Sequence, residues 1–311
     1  MNSEMEGYVA TIGMFDGVHR GHQFVLQHVV DEAHQRGLQS MAITFIKTAP
    51  QTLTPLVQKR ILLTKTGIDR IEVLTFDDSL KQMTARQFME QVLRDKYGVK
   101  VLLTGYDNRF GYNRVEGFDD YVRYGKELGI EVTSLPPAPS IACHTPTFRW
   151  EKRKGSCVSS SLIRELIADG NISEANELLG YPYTILGSVE HGEHIGTKLG
   201  FPTANIVVSD PCQLIPAAGA YAVKIRMENS VEWKHGMMNI GMRPTFDGHQ
   251  QTLEVHIFRL SENLYGQQLL VSFIERLREE QRFESIEALI GQLQQDAVLA
   301  EQILNQDIDE I

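Results

Sequence analysis

The first 135 residues alternate short apolar runs with longer stretches in which apolar residues recur every three or four positions. The short runs are almost continuously apolar, which is typical of parallel strands that are buried on both faces. Because a helical pattern follows each run, the segment predicts consecutive strand–helix units. The expected strands are 8–12, 40–45, 71–74, 100–103 and 130–135. The expected helices are 21–36, 56–65, 84–97 and 118–128.

These units predict an α/β fold, a doubly wound parallel sheet with helices on both faces. In such a sheet, ligands bind beyond the carboxyl ends of the strands. Two further short helices are expected at 160–169 and 172–179, and the pattern changes around Pro182. We therefore expect a first domain at 1–180.

Residues 181–311 carry shorter strand patterns that Gly and Pro residues interrupt at regular intervals. That spacing is typical of an antiparallel barrel or sandwich. Strands are expected at 184–190, 204–208, 219–227, 231–240, 252–260 and 269–277. A terminal helix is expected at 285–304, with Ser285 as its N-cap and one apolar face formed by Ile286, Leu289, Ile290, Leu293 and Ala297. The second domain is therefore predicted to be an antiparallel β-barrel with a terminal helix that packs against it.

The formal net charge of −10 argues against nucleic acid as a partner, because a polyanion binds to basic surfaces. Most of the imbalance lies after residue 180, where 9 Lys and Arg residues stand against 18 Asp and Glu residues. If that half binds a phosphorylated ligand, few of its own side chains can neutralise the phosphate charge. A divalent metal ion is therefore an expected partner of the second domain.

No stretch has the uninterrupted apolar length that a transmembrane helix needs. The first eight residues, MNSEMEGY, are polar and acidic, unlike a signal peptide. Cys143, Cys157 and Cys212 are odd in number and too widely spaced for a disulfide framework or a zinc knuckle. These features predict a cytoplasmic protein without a membrane partner.

Residues 13–22, GMFDGVHRGH, follow the first expected strand and end where the first helix begins. Gly13, Gly17 and Gly21 allow the backbone to approach a ligand closely, and the free N–H groups of a helix start attract an anion. His19 and His22 are three residues apart, so both can face one phosphate and stabilise charge that develops on it. The spacing matches neither a dinucleotide-binding GxGxxG nor a Walker loop. The segment therefore predicts a phosphate site of another type.

A second candidate phosphate site lies at the start of the expected helix 160–169. Ser159, Ser160 and Ser161 place hydroxyl groups at that helix start, and Arg164 follows one turn later. In an open sheet these groups can bind a triphosphate from the side opposite to the histidines.

Residues 192–205 read GEHIGTKLGFPTAN. The glycine spacing differs from that of a Walker loop, and no strand–helix unit surrounds the segment. Backbone between Gly192 and Gly200 can wrap phosphate groups. Thr203 and Asn205 offer the hard oxygen atoms that Mg²⁺ prefers. Taken alone, the segment is compatible with a phosphate and metal site, but Pro-Thr-Ala-Asn is also typical of an ordinary turn, so both interpretations stay open at this point.

The segment 13–22 resembles the HxGH nucleotidyltransferases and, more closely, the prokaryotic bifunctional riboflavin kinase and FAD synthetase family. Further similarity lies in GYDNRFG at 105–111, VSSSLIR at 158–164, LGFPTAN at 199–205 and LEVH at 253–256. The resemblance implies that the second domain transfers the γ-phosphoryl group of ATP to riboflavin. It implies that the first domain adenylylates FMN, giving FAD and pyrophosphate. Mg²⁺ is the implied cofactor, with ATP and riboflavin or FMN as substrates.

The resemblance also implies roles for individual residues. Glu254 is the implied base that accepts the proton of the flavin's terminal ribityl hydroxyl, and strand alternation places it opposite the apolar Leu253 and Val255. The implied catalytic histidines are His19 and His22, and the implied metal ligands are Thr203 and Asn205. Contacts to ATP or its phosphates are implied for Gly13, Phe15, Asp16, Gly17, Gly21, Ser159, Ser160, Ser161, Arg164, Gly192, Gly196, Lys198 and Gly200. Contacts to flavin are implied for Asp107, Asn108, Phe110 and Arg243.

Two other functions stay open on the sequence. Residues 46–50 (IKTAP) and 106–108 (YDN) depart from the family pattern, which is compatible with a first domain that adenylylates another phosphorylated acceptor. A flavin-binding regulator without turnover is the third reading, although His19, His22 and Glu254 are retained. Incubation with riboflavin, ATP and Mg²⁺ separates the three readings, because they yield FMN plus FAD, FMN alone, or neither.

Overall fold

The computed structural model describes residues 7–46, 50–105, 108–135, 158–191, 196, 199–245, 248–260 and 262–306, with backbone alone for 243–245 and 248–250. The chain divides into two compact units, Met1–Ser160 and Ser161–Ile311. This division precedes the two short helices that the sequence pattern assigns to the first domain, so it differs from the predicted boundary by the length of those helices. None of the helices in the described ranges combines the length and apolar character needed to cross a membrane.

A parallel five-stranded sheet forms the centre of the first unit. Its strands are β1 Tyr8–Ile12, β2 Gln39–Ile46, β3 Arg70–Thr75, β4 Val99–Thr104 and β5 Glu131–Ser134. Its helices are α1 Arg20–Arg36, α2 Leu56–Lys65, α3 Asp78–Gln82, α4 Ala85–Phe88 and α5 Phe118–Leu128, and α4 continues into a π-helix at Met89–Lys96. The strand order β3-β2-β1-β4-β5 confirms the predicted doubly wound sheet.

Each face of this sheet is covered by its own apolar core. On one face, β1 and β4 pack against α1 and α2 through a cluster that includes Val9, Leu26, Val29, Leu63 and Val101. On the other face, the same strands pack against α4, the π-helix and α5 through Ile12, Phe88, Leu93, Leu102 and Tyr121. Consecutive strand residues therefore face opposite cores, which explains why the strands read as continuously apolar.

Local signals set the ends of the helices. His19 is the N-cap of α1, and Gly37 ends that helix in the left-handed conformation at φ 65°. Thr84 and Gln87 form a capping box at the start of α4. The helix predicted at 84–97 widens into a π-helix at Met89, a change that side-chain periodicity does not reveal.

The second unit is a closed antiparallel barrel with strand order β10-β7-β6-β11-β8-β9, as predicted. It begins with α6 Ser160–Ala168 and α7 Ile172–Leu179. Its strands are β6 Thr184–Glu190, β7 Ala204–Val208, β8 Gly219–Met227, β9 Lys234–Thr245, β10 Gly248–Ile257 and β11 Gln268–Glu279. The ends of β9 and β10 differ from the prediction because the two strands pair as one long hairpin from Thr245↔Gly248 to Ile257↔Gly236. Val231, predicted in a strand, is 92% exposed.

The terminal helix α8, Ile286–Gln306, packs against the barrel through a buried ion pair. The carboxylate of Asp296 is 4% exposed and lies 2.8 Å from Nη2 of Arg278 on β11. Nε of Arg278 also donates to both carboxylate oxygens of Asp296. Contacts from two guanidinium nitrogen atoms to one carboxylate fix the helix on the barrel more tightly than a single charge contact does.

The buried face of α8 lies further along the helix than predicted. Ser285 caps it as expected, because its Oγ accepts from the N–H of Ala288 at 3.1 Å. Ile286 is 61% exposed, and the fully buried residues are Asp296, Ala300 and Leu304. The predicted face is confirmed at Leu293 and Ala297, which pack against the barrel core, and is wrong at the exposed first turn. The apolar pattern also missed Asp296, because an ion-paired aspartate occupies a core position.

Asp296→Ala should lower the stability of the barrel by about 3 kcal/mol, because it leaves the Arg278 guanidinium partly buried without its partner. Calorimetric unfolding of the full chain measures the change. The matched control is Glu301→Ala on the same helix, whose partner Arg259 is 86% exposed. That change should cost no more than about 0.5 kcal/mol. Equal effects of the two substitutions would contradict a structural role for the buried pair.

Candidate active sites

The loop that follows β1 lies at the point where the strand order of the sheet reverses. Strand β1 is central, with β2 on one side and β4 on the other. Nδ2 of Asn108, beyond the end of β4, donates to the carbonyl of Ile12 at 2.6 Å. The N–H of Gly13 donates to Ile43 on β2 at 3.0 Å. A crevice at the carboxyl ends of strands around such a switch point is where open α/β sheets bind ligands.

The loop contains residues in unfavourable backbone conformations. Phe15 and Val18 have φ values of 47° and 31°, in the left-handed region that non-glycine residues rarely adopt. Gly17 lies between them at φ 83°, which glycine tolerates. Strain of this kind persists only where surrounding contacts hold it, and it concentrates at functional sites.

The buried carboxylate of Asp16 provides those contacts. Its Oδ1 accepts hydrogen bonds from the N–H groups of Leu53 and Thr54, each at 3.1 Å. Oγ1 of Thr54 accepts in turn from the N–H of Gly17 at 2.9 Å. Asp16 therefore ties the loop to the segment that enters α2. It is a shaping residue, a role that the sequence did not indicate.

Two glycines make room for the aromatic rings of the loop itself. A Cβ at Gly13 would lie 2.9 Å from the Phe15 ring, and a Cβ at Gly21 would lie 3.2 Å from the His19 ring. The sequence predicted these glycines for backbone contact with a ligand. The structure shows that ring packing inside the loop already disfavours a side chain at Gly13 and leaves little room for one at Gly21.

His19 and His22 are brought together as predicted. Their rings stack with centroids 3.6 Å apart and an interplanar angle of 18°. Nδ1 of His19 accepts from the N–H of His22 at 3.4 Å, so His19 caps the helix that carries His22. The edge of Phe15 packs against His22 with centroids 5.3 Å apart.

Both histidines are neutral at neutral pH. Burial lowers the pKa of His19 to about 4, and the nearby Asp16 carboxylate only partly opposes the shift. Burial also lowers the pKa of His22 well below its ordinary value, with further lowering from His19 and Lys59. Nδ1 of His22 is buried and has no hydrogen-bond partner among the described residues. The pair thus presents hydrogen-bonding nitrogen atoms, not positive charge.

Lys59 is a buried cation beside the loop that sequence reasoning missed. It is 6% exposed, and its Nζ donates to the carbonyl of Met14 at 2.9 Å. Lys59 and Leu63, four residues apart, are the buried residues of α2. The spacing of Lys59 from Leu63 was the available signal, because it places the lysine on the core-facing side of the helix.

Of the three predicted phosphate-binding serines, Ser160 contacts the loop that follows β1. Oγ of Ser160, the last residue of the first unit, donates to the carbonyl of Asp16 at 2.8 Å. Ser159 and Ser161 are exposed and Arg164 is half-buried. Phosphate contacts by these residues stay a prediction.

The expected flavin loop is anchored by its own side chains. Besides the Asn108 contact, Phe110 stacks on Tyr121 of α5 with centroids 4.2 Å apart. The N–H of Phe110 donates to the Tyr121 hydroxyl at 3.0 Å. Asp107 lies outside the described residues. Flavin contacts of Asn108 and Phe110 stay a prediction, and both residues also hold the loop in place.

In the barrel, polar oxygen atoms gather around Glu254. Oγ1 of Thr203 donates to a Glu254 carboxylate oxygen at 3.3 Å. Asn205 lies directly opposite Glu254 on β7, and Asn239 lies opposite it on β9. Cross-strand partners share one face of a sheet, so the three side chains lie together. Asn239 was not among the predicted site residues, because its position beside Glu254 follows from strand pairing.

The predicted alternation on β10 is confirmed. Leu253, Val255 and Ile257 are buried, at 7%, 1% and 5% exposure, and Glu254 is half-buried on the other face. Hydroxyl, amide and carboxylate oxygen atoms are hard ligands, so Thr203, Asn205 and Glu254 are chemically suited to Mg²⁺.

The glycine-rich segment closes tightly before Thr203. The N–H of Phe201 donates to the carbonyl of Gly196 at 2.9 Å, and a Cβ at Gly196 would clash with the Phe201 carbonyl and Thr203 Oγ1. Nδ1 of His256 lies 2.7 Å from the carbonyl of Pro202. Gly200 has φ 83°, which suits glycine. Gly192 and Lys198 lie outside the described residues.

The structure describes the side chain of Tyr221 in the barrel but only the backbone of Arg243. Tyr221 is fully buried, burial raises its pKa to about 12, and its hydroxyl donates to the carbonyl of Ala217. It supports the barrel wall. Arg243 pairs with Gln250 through the β9–β10 ladder, and its side chain lies outside the described part of the chain.

Comparison with known proteins agrees with both units. A family model described as FAD synthetase matches residues 1–142, and one described as riboflavin kinase matches residues 179–304. The bifunctional riboflavin kinase/FMN adenylyltransferase of Escherichia coli (strain K12) is 36% identical over 304 residues, covering 95% of this chain and 92% of the relative. The protein of the same name from Haemophilus influenzae is 36% identical and covers 98% of this chain and 96% of its own length.

A solved structure has the same architecture over nearly the whole chain. It is titled a macrolide-efflux protein from Streptococcus pneumoniae, and it matches with a TM-score of 0.81 and 28% identity over 93% of this chain and 92% of its own. The fold and the two sites define an ATP-dependent flavin-modifying transferase. The chain belongs to the bifunctional riboflavin kinase/FMN adenylyltransferase family. It phosphorylates riboflavin and adenylylates FMN, with ATP as co-substrate, and no finding supports the alternative acceptor.

The stability of the first unit should fall on mild acidification. In the unfolded chain His19 takes up a proton near its ordinary pKa of about 6.5, but in the folded chain it does so only at about 4. The unfolded state thus binds more protons below pH 6.5, so stability is fully present above that pH and is lost as pH falls toward 4. His19 alone should account for about 2 kcal/mol between pH 7 and pH 5.

Thermal unfolding of the full chain at both pH values measures this loss. His19→Asn keeps an N-cap acceptor but does not titrate, so it should remove the His19 share of the pH dependence, while the share of His22, whose pKa burial also lowers, should remain. His34→Asn, at an exposed position of the same helix, should leave it intact. Identical pH dependence in wild type and His19→Asn would contradict the buried, neutral state of His19.

Proposed function

We propose that the two reactions are divided between the two halves of the chain, with adenylyl transfer at 1–180 and riboflavin phosphorylation at 181–311. The observation that supports the first assignment most directly is the buried His22 Nδ1, which has no hydrogen-bond partner within the described part of the chain and lies in the segment that follows the central strand of a parallel sheet. An unsatisfied buried polar atom is costly unless a ligand uses it.

In the adenylyl transfer, a phosphate oxygen of FMN attacks the α-phosphorus of ATP, and pyrophosphate leaves. Negative charge develops on the oxygen atoms of the α-phosphate. His19 and His22, both neutral, stabilise that charge by hydrogen bonding, together with the N–H groups at the start of α1. Gly13, Phe15 and Gly17 shape the loop around the phosphates. Additional contacts to the triphosphate come from Gly21, Ser159, Ser160, Ser161 and Arg164.

His19→Ala combined with His22→Ala should remove most FAD formation from supplied FMN, because loss of one preorganised donor typically costs about 10²- to 10³-fold in rate. Formation of FMN from riboflavin should continue at the wild-type rate. Chromatographic separation of flavins measures both reactions in one sample. His34→Ala is the control on the same helix. FAD formation near the wild-type rate by the double variant would refute the histidine assignment.

In the kinase reaction, we assign Glu254 as the base that accepts the proton of the terminal ribityl hydroxyl as ATP's γ-phosphoryl group is transferred. Thr203 and Asn205, adjacent to Glu254, would hold Mg²⁺, which when bound neutralises phosphate charge. Phosphoryl transfer depends mainly on positioning and charge stabilisation, so this set of groups is sufficient. The glycine-rich segment, with Gly192, Gly196, Lys198 and Gly200, contacts the ATP phosphates, and Asp107, Asn108, Phe110 and Arg243 contact flavin in their respective domains.

Glu254→Gln should slow FMN formation by about 10²- to 10⁴-fold, because the amide keeps the size of the side chain but cannot take a proton. FAD formation from supplied FMN should be unchanged. The control is Gln251→Glu, an exposed position on the same strand. Wild-type FMN formation by Glu254→Gln would refute the base assignment.

The acidic net charge supports a cytoplasmic enzyme whose partners are small molecules, not nucleic acid or a membrane surface. Equilibrium binding of the purified chain to DNA, RNA and anionic vesicles tests this assignment. Saturable binding to any of them at physiological salt would contradict it.

A further inference from the structure

A buried positive charge lies beside the loop that follows β1, and neither histidine of the site supplies it. Its substrate phosphates are strongly anionic, yet burial keeps His19 and His22 neutral. Lys59 is the buried cation that packs against this loop. Burial of a charged group is expensive unless the group is paired or used, so a lysine in this position calls for a reason.

A hydrogen bond holds the Lys59 ammonium, and core packing holds the helix that carries it. Its Nζ donates to the carbonyl of Met14, directly before the strained turn at Phe15. Leu63, one turn along α2, is fully buried in the core between the helix and the sheet. Lys59 therefore fixes the position of the Met14 carbonyl relative to α2, and Asp16 fixes the next part of the same loop to the start of that helix.

The charge on Lys59 acts on the histidine pair. Burial lowers the pKa of Lys59 itself, and the Asp16 carboxylate opposes that shift and favours the ammonium form. The ammonium lowers the pKa of His22, in addition to the larger effects of burial and of His19. Among the described residues, His19 and Lys59 are the titratable groups that lower the pKa of His22, and the Asp16 carboxylate acts on both of them.

We propose that Lys59 is a positioning residue for adenylyl transfer, which anchors the Met14 turn at the end of β1 and places a positive charge beside the histidine pair. This inference rests on the proposed role of His19 and His22. Lys59 lies in α2 and outside every motif that identified the site. Its role comes from the packing of α2 against the loop.

Three substitutions in the full chain separate the two parts of this role. Lys59→Gln keeps an N–H donor and loses the charge, Lys59→Met loses both, and Lys59→Arg keeps the charge. Lys65→Gln, exposed in the last turn of α2, is the control. FAD formation from FMN is measured against pH, with thermal unfolding of the full chain as the measure of intact folding and FMN formation from riboflavin as the measure of an undisturbed second unit. The proton affinity of His22 is measured by NMR titration of histidine-labelled protein.

Lys59→Gln should slow FAD formation by about 10- to 100-fold, as expected for displacement of a catalytic loop. It should also raise the pKa of His22, so the acid limb of the pH profile moves to higher pH. Lys59→Met should be slower still, and Lys59→Arg should keep the wild-type acid limb. A role limited to packing would lower stability without moving that limb.

The proposal is overturned if Lys59→Gln and Lys59→Met leave both the rate and the His22 titration unchanged. It is equally overturned if Lys59→Arg shifts the acid limb as far as Lys59→Gln. The double variant with His19→Ala and His22→Ala distinguishes failure of the lysine assignment from failure of the histidine assignment. If that variant loses FAD formation and Lys59→Gln does not, only the lysine assignment fails. If that variant retains FAD formation, the histidine assignment fails.

Discussion

The carboxylate of Asp16 is the interaction on which the first site depends. The chain leaving β1 turns through left-handed conformations at Phe15, Gly17 and Val18, which would not persist without support. Asp16 supplies this support by accepting hydrogen bonds from the N–H groups of Leu53 and Thr54. This turn delivers His19 to the N-cap of α1 and thereby stacks it on His22. The chemistry of the loop thus follows from a buried hydrogen-bonded carboxylate that itself need not touch the substrate.

The two proposed sites would handle phosphate charge by different physical means. In our proposal the first uses buried neutral histidines, a helix start and a buried lysine, in a part of the chain (1–180) with nearly balanced charge. The second gathers oxygen atoms of Thr203, Asn205 and Glu254 in a part with a net charge of −9, which is suited to a divalent cation. One chain can therefore carry out two ATP-dependent reactions without a shared set of charged groups.

Patterns along the chain predicted the elements better than the contacts between them. The continuously apolar strands of the first unit and the alternation around Glu254 appear in the structure as expected, since local burial sets both. The strand order, the position of Asn239 beside Glu254 and the burial of Lys59 depend on which segments meet in space, so no local pattern reveals them. The terminal helix shows the same limit, because the buried Asp296 reads as a polar surface residue until its partner Arg278 is known.

The central claim is that the neutral histidine pair at the start of α1 is the site that receives the α-phosphate of ATP. A crystal structure of the full chain with α,β-methylene-ATP and FMN tests it most directly. The account predicts an α-phosphate oxygen within hydrogen-bond distance of His22 Nδ1, with the triphosphate against the N–H groups at the start of α1. A triphosphate bound elsewhere in the first domain, with His22 Nδ1 still without a partner, would contradict it.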